Sequence, residues 1–359
     1  MIIREANSKD NRALLNISRK EPMESSVVFY VDRSPDYFYL PSLQGNDSKV
    51  FIAERNKEIV GAIGISFRNV RLFGNLQRIG YAGGLKIKES ARGGWILYRL
   101  MKKVVDEMLR MKVSMCILTA LKKNQKILRT ISGRLNIPPF YPIATFRVFH
   151  IIPLMRPFMR YKCSSQYTIE KLSPSDFEEM VELFRRHYNL YELVEEFDKT
   201  KITQLIEQSK DFSLDNFLVA KLNGKIVSAV SYWNQIGFKK TIVQKYNGLF
   251  KGLFYVLKPI KILPIQGEPM KVLTIRHLIC NECCPDAAKE LLKYTIRLFR
   301  PQFRLFRVGF HEKDPLIQTL KGFPRIGLDV VLYAAFRNEN PILIQKLQDS
   351  LIWEDMALH

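Results

Sequence analysis

The sequence predicts an α/β chain, α+β in its strand order, built as two tandem units, each a mixed, mostly antiparallel sheet flanked by helices. Three observations lead there. Residues 85–108 read as the end of a strand, a polar turn with two glycines, and a helix with an apolar face. The residues before them alternate apolar and polar at 50–53 and 59–65, as two strands around a turn. From Tyr167 the same succession of elements begins again, so a chain of 359 residues carries an internal repeat of whole-domain size.

The elements can be justified in order. Residues 1–4 form a short strand, and Asp10 caps a helix whose apolar face is Ala13, Leu14 and Ile17. Residues 34–38, Ser-Pro-Asp-Tyr-Phe, predict a second helix start with Pro35 in the first turn. Residues 70–75 read as a hairpin excursion, and 78–87 as the strand that feeds the glycine turn. In the helix that follows, Ile96, Leu97, Leu100, Met101, Val104, Val105 and Met108 recur at helical spacing. A strand at 113–119, a short helix at 124–131 and a strand at 144–152 close a first unit, 1–153. Residues 154–166 are a linker containing Pro157, and 167–337 form the second unit. Its hairpin at 217–232 turns on Asn223-Gly224, a type I′ signal. Residues 338–359 are a C-terminal extension.

The turn at 89–95 carries the chemistry. The first N–H groups of a helix lack partners within it, and the helix dipole favours negative charge there. Gly93 and Gly94 permit close approach of backbone, and Arg92 adds a charge-assisted donor. Such a turn suits a phosphate.

The pattern Leu85-x-Ile87-x4-Arg92-Gly93 resembles the acyl-CoA signature of the GNAT superfamily of N-acyltransferases, and the order of elements around it is similar too. The resemblance implies that Arg92, Gly93, Gly94, Trp95, Ile96 and Leu97 surround the CoA pyrophosphate. It implies that Leu85, Lys86 and Ile87, on a strand splayed from its neighbour, hold the pantetheine and the acyl carbonyl, and that Asn124 contacts the cofactor. Trp95 and Leu97 stand where the family has small residues. Ile131 stands where the family often has a tyrosine acid, which makes Tyr141 the nearest substitute. For the base, a water-relayed Glu24 or Asp32 is the expectation. The implied function is direct acyl transfer in a ternary complex, from acyl-CoA to a small-molecule or peptide amine. Bulk at Trp95 favours acetyl-CoA as the co-substrate. In the second unit the corresponding turn, Asn281-Glu282-Cys283-Cys284-Pro285, has neither glycine nor arginine. CoA is therefore expected in the first unit alone, with the second unit shaping the acceptor groove.

Composition bounds the alternatives. The chain has 56 Lys+Arg against 35 Asp+Glu, a net charge of +21. Residues 1–165 hold 29 and 12 of these, an excess of +17 in the half with the phosphate-type turn. That field suits a polyanion such as CoA, and nucleic acid is not the expected partner. An aminoacyl-tRNA-dependent transferase of the Fem type, or an acyl-CoA-binding module without activity, are the competing readings. The basic and apolar stretch 239–261 could form an amphipathic helix on an anionic membrane or close the groove between the units. The start, MIIREANSKDN, carries charges where a signal peptide would be apolar, and the five cysteines are odd in number. A reduced, cytoplasmic protein is expected. His277, Cys280, Cys283 and Cys284 have metal-like spacing, but His277 and Cys280 fall on opposite faces of a strand, so no metal is expected.

Overall fold

A computed structural model describes residues 1–22, 27–92, 95–124, 127, 131–133, 137–154, 164–248, 251–252, 264–282 and 284–359. In the first half the strands are β1 (Ile2–Glu5), β2 (Val27–Asp32), β3 (Asp47–Arg55), β4 (Glu58–Leu72), β5 (Asn75–Ile87), β6 (Met115–Leu121) and β7 (Tyr141–Ile151). In the second they are β8 (Thr168–Lys171), β9 (Phe217–Leu222), β10 (Lys225–Trp233), β11 (Lys240–Tyr246), β12 (Val272–Cys280), β13 (Leu305–His311) and β14 (Arg325–Phe336). The described helices are α1 (Asn11–Lys20), α2 (Tyr39–Leu43), α3 (Ile96–Arg110), α4 (Phe177–Tyr188), α5 (Lys199–Gln208), α6 (Pro285–Phe299) and α7 (Pro341–Asp349).

Local chemistry explains the hairpins. Asn56 and Lys57 both take positive φ between β3 and β4, and Asn223 and Gly224 do so between β9 and β10. These turns match the right-handed twist of the strands they join. Phe73 also has positive φ, at 48°, in the β4–β5 turn; its N–H donates to Glu192 Oε2 at 2.6 Å, so a contact from the second half holds it there. α3 buries Ile96, Leu100, Met101 and Val104 against Phe51, Ile63 and Ile65 of the sheet, which is the face the periodicity predicted. α6 buries Ala287, Leu291, Leu292 and Ile296 in the same way in the second half.

Twelve strands form one sheet in the order β1-β3-β4-β5-β6-β14-β7-β13-β12-β10-β9-β8. The two halves repeat each other. Each has a parallel pair at its centre, β5 with β6 and β12 with β13, among antiparallel neighbours. Their last strands are exchanged. β14 lies between β6 and β7, with Val330 opposite Leu121 and Phe336 opposite Met115. β7 pairs with β13 and β14 and with no strand of its own half among the described residues. Val331, Tyr333 and Ala335 of β14 are buried in the first-half core as a result. The units at 1–153 and 167–337 thus share one hydrogen-bonded sheet.

A second, two-stranded sheet joins the halves from above. β11 runs antiparallel to β2, from Lys240 opposite Asp32 to Tyr246 opposite Val27. Two expectations are corrected by this ribbon. Residues 240–246 of the stretch considered as an amphipathic helix are a strand; residues 249–250 and 253–263 lie outside those described. The helix expected to start near Pro35 begins at Tyr39 and lasts five residues, because residues 27–32 have instead been drawn into pairing with the second half. Pairing across 200 residues leaves no local sequence signal.

Candidate active site

The parallel contact between β5 and β6 is short. Only Gly80 opposite Cys116 and Tyr81 opposite Ile117 are in register, after which the strands part. β5 continues to Ile87 beside β4, and no strand among the described residues pairs with its other edge there. Gly84, with φ of 67°, lies on this open stretch. Leu85 and Ile87 pack against the first-half core, whereas Lys86 points the other way and donates to the Glu21 carbonyl at 2.6 Å.

After β5 a single turn at Glu89–Ala91 leads to Arg92 and then α3. Arg92 is ion-paired with Glu21, whose other oxygen accepts from the Glu89 N–H at 3.0 Å. A carboxylate thus occupies part of the positive turn, as an anion would. Gly93 and Gly94 lie outside the described residues. Trp95 precedes α3 and is 73 % exposed, with its ring edge-on to Tyr98. Its ring therefore faces solvent rather than the core of the first half. Ile96 is buried over Gly61, and Leu97 packs against the core. Asn124 accepts from the Ile127 N–H at 3.4 Å through Oδ1, a helix-capping contact.

Of the expected acid and bases, Tyr141 and Asp32 are engaged in other contacts. Tyr141 begins β7, three strands across from β5 and so roughly 14 Å away by strand spacing. Its hydroxyl donates to Glu339 of the C-terminal extension. Asp32 is 7 % exposed and accepts from Arg19 at 3.0 Å and from the Ser34 N–H at 3.0 Å. Burial works against its charge, yet these donors hold its carboxyl below the usual range, as a structural link from α1 to the ribbon. Glu24 lies outside the described residues.

A different group of side chains meets where β5 and β6 part. The Tyr81 hydroxyl is 2.9 Å from Thr119 Oγ1 and 2.8 Å from His359 Nδ1. His359 Nε2 is 2.9 Å from Glu354 Oε1, and the other oxygen of Glu354 accepts from Arg68. Burial raises the Tyr81 hydroxyl well above the usual tyrosine value, so it stays protonated. Burial also opposes charge on Glu354, but Arg68 and His359 hold its carboxyl below the usual range. The result is a chain from guanidinium through carboxylate and imidazole to a neutral hydroxyl, able to accept a proton at one end and balance the charge at the other.

Sequence reasoning missed this group because it set residues 338–359 aside. The signal was present: Glu354 and Asp355 interrupt an apolar tail, and Arg68 interrupts an alternating strand. Both are buried and paired, Arg68 with Glu354 and Arg276 with Asp355. Gln235, Lys239 and Arg307 donate to the Ala357 carbonyl, which fixes the tail across the junction of the halves.

With this geometry in view, comparison with solved structures is informative. Saccharomyces cerevisiae N-myristoyltransferase with bound myristoyl-CoA superposes with a TM-score of 0.64, covering 98 % of this chain and 89 % of that one at 13 % identity. The chain has the N-myristoyltransferase fold. A second structure of that enzyme gives 0.63 over 94 % of this chain and 80 % of the other, again at 13 % identity. A conserved protein from Enterococcus faecalis V583, described as a probable N-acyltransferase, gives 0.53 over 93 % and 72 % at 11 % identity. The mixed, mostly antiparallel sheet flanked by helices that the sequence predicts is therefore the observed fold, with the strands of the two halves joined in one sheet. No protein-family model and no curated protein matches the sequence.

Lys86 gives a pH-dependent expectation. Burial first, then the charges of Arg33 and Arg92, lower its pKa from 10.5 to about 8. Between those values the unfolded chain binds a proton that the folded chain does not, so the Lys86 contribution makes stability rise with pH across that window. Lys86→Met should flatten this rise in urea unfolding measured between about pH 7 and 11. An unchanged pH profile would show that Lys86 keeps its ordinary affinity for the proton.

Proposed function

We propose that the protein is an acyl-CoA-dependent N-acyltransferase that works through the first half of the fold. The observation that carries this reading is the parting of β5 from β6 where Tyr81, Thr119 and His359 meet, directly before the open edge that leads to the Arg92 turn. The turn and the start of α3 take the pyrophosphate, with Arg92 exchanging the Glu21 carboxylate for it. The pantetheine lies along β5 from Ala82 to Ile87 as an added strand, and the thioester carbonyl reaches the gap.

In the reaction the amine nitrogen attacks the carbonyl carbon, a C–N bond forms and the C–S bond breaks. The amine proton passes through the Tyr81 hydroxyl to His359 Nδ1, with Glu354 stabilising the imidazolium; the Tyr81 hydroxyl returns a proton to the leaving thiolate. The exposed position of Trp95 removes the reason to restrict the donor to acetyl-CoA, so acyl-CoA is the donor class. Thiol release from acetyl-CoA and myristoyl-CoA, measured side by side, reads its chain length.

Arg92→Glu should weaken CoA binding ten-fold or more in calorimetry, since it sets a second carboxylate beside Glu21 where the phosphates must lie. Substitutions at Asn281 and Glu282, in the corresponding turn of the second half, should leave the affinity within about two-fold. Equal losses at both turns would rule out a single site in the first half.

A further inference from the structure

The hydroxyl of Tyr81 stands one pleat further along β5 than its own backbone. Tyr81 is in register with Ile117, at the last paired position of β5 and β6. Its hydroxyl bonds instead to Thr119, two residues beyond Ile117, at 2.9 Å. A strand side chain ordinarily stands near the perpendicular to its sheet and so stays level with its own backbone. Here the ring reclines toward the Arg92 turn, over the next residue on the same face, which is Gly83. A Cβ built on Gly83 would lie 2.7 Å from Tyr81 Cε1, and 3.3 Å from both Cζ and the hydroxyl oxygen. Carbon atoms in contact keep about 3.5–4.0 Å. The ring therefore fills the space that a side chain at Gly83 would need.

The neighbouring glycines differ. Gly64 lies directly opposite Gly83 on β4, on the same face. A Cβ there would meet the Gly83 and Lys49 carbonyl oxygens at 3.5 and 3.7 Å, which are ordinary contacts. Gly84 serves its backbone, at φ of 67°. Gly83 has no positive φ, so its backbone accepts an L side chain and the Tyr81 ring alone refuses one. Nor is the ring free to swing aside. Tyr81 is buried in a core cluster with Met115 and Ile117, and its hydroxyl is held by Thr119 and His359.

We infer that Gly83 is a positioning residue. By lacking a side chain it lets the Tyr81 ring lie along β5, which carries the hydroxyl out of the paired part of β5 and β6 and into the gap where Thr119 and His359 reach it. A methyl at residue 83 would displace the ring by about 0.8 Å or more. That is enough to lengthen the 2.8 Å contact with His359 Nδ1 beyond a good hydrogen bond. The placement of the hydroxyl stands on the fold alone, and its consequence for rate rests on the acyltransferase reading.

The test uses the full chain, with thiol release followed from acetyl-CoA and myristoyl-CoA and triglycine as the amine. Gly83→Ala should lower kcat about ten- to hundred-fold, with the KM for acyl-CoA within about three-fold. Gly64→Ala should leave both within about two-fold. In a Tyr81→Phe background Gly83→Ala should cost less than about a further two-fold, because the hydroxyl it misplaces is gone. A wild-type kcat in Gly83→Ala, or an undiminished loss in the Tyr81→Phe background, overturns the inference. The nitrogen NMR resonance of His359 Nδ1 gives a readout without turnover, in a chain with only five histidines to assign. Gly83→Ala should move it in the same direction as Tyr81→Phe does, and Gly64→Ala should leave it in place. A resonance that Gly83→Ala leaves where it was overturns the inference, whatever the rate. Where Gly83→Ala alone does not fold, adding Tyr81→Ala should restore folding, since the ring that the methyl meets is then removed. A double variant that stays unfolded while Tyr81→Ala folds overturns the inference as well. The expected resonance shifts in a protein that releases no thiol from either acyl-CoA count against the acyltransferase reading alone.

Discussion

His359→Ala should lower kcat by about two to four orders of magnitude while CoA affinity stays within a few-fold. The imidazole is the group that links the Tyr81 hydroxyl to the Glu354 carboxylate, at 2.8 and 2.9 Å. Without it the hydroxyl has no base behind it, and its raised pKa keeps it from acting as one itself. The CoA turn at Arg92 makes no contact with this chain of groups, so binding should survive. Single-turnover acyl transfer and calorimetry on the same preparation separate the two effects. A loss of CoA affinity as large as the loss of rate would mean that His359 serves the fold rather than the reaction. Glu354→Gln is a poorer probe, because it leaves Arg68 enclosed without its counter-charge, a change that costs about 3–5 kcal/mol of stability.

Residues 1–166 produced alone should fail to fold. The sequence suggested a first unit able to hold CoA by itself, with the second unit needed only for the acceptor. The exchanged strands change that expectation. Removing residues 167–359 takes β14 away from β6 and both partners away from β7. It also strips Val331, Tyr333 and Ala335 from the core beneath α3. The fragment would expose one edge of β6 and both edges of β7, a template for aggregation. Circular dichroism and CoA titration of the fragment, alone and co-expressed with 167–359, should show structure and binding only in the pair. A soluble 1–166 that binds CoA as tightly as the whole chain would prove the exchange dispensable.

What could be read from the sequence follows from the range of the interactions concerned. The turn after Ile87 and the face of α3 depend on residues within a few turns of one another, and both were legible, as was the Asn223-Gly224 hairpin. Tyr81 is invisible as a candidate site residue because its contacts depend on β6 parting from β5 and on a tail 278 residues further along. Trp95 was legible in its place in the motif but not in its orientation, because whether its ring faces the sheet or solvent depends on how the turn leaves the sheet. Asp32 was expected as a water-relayed base, and only the folding of α1 onto the ribbon supplies the Arg19 that occupies it.

The exchanged strands also set the order in which the molecule can be made. When β7 has been synthesised, both strands it will lie between are still more than 150 residues from emerging. β6 waits longer still for β14. Neither half can close during translation, so the first must persist as a hairpin-rich intermediate around β3, β4 and β5 until nearly the whole chain is available. Contacts of such separation make folding slow and leave apolar surface open meanwhile. The tail that carries His359 follows every strand of the sheet in the chain, so its contacts with Tyr81 and Thr119 form only after those strands have been made.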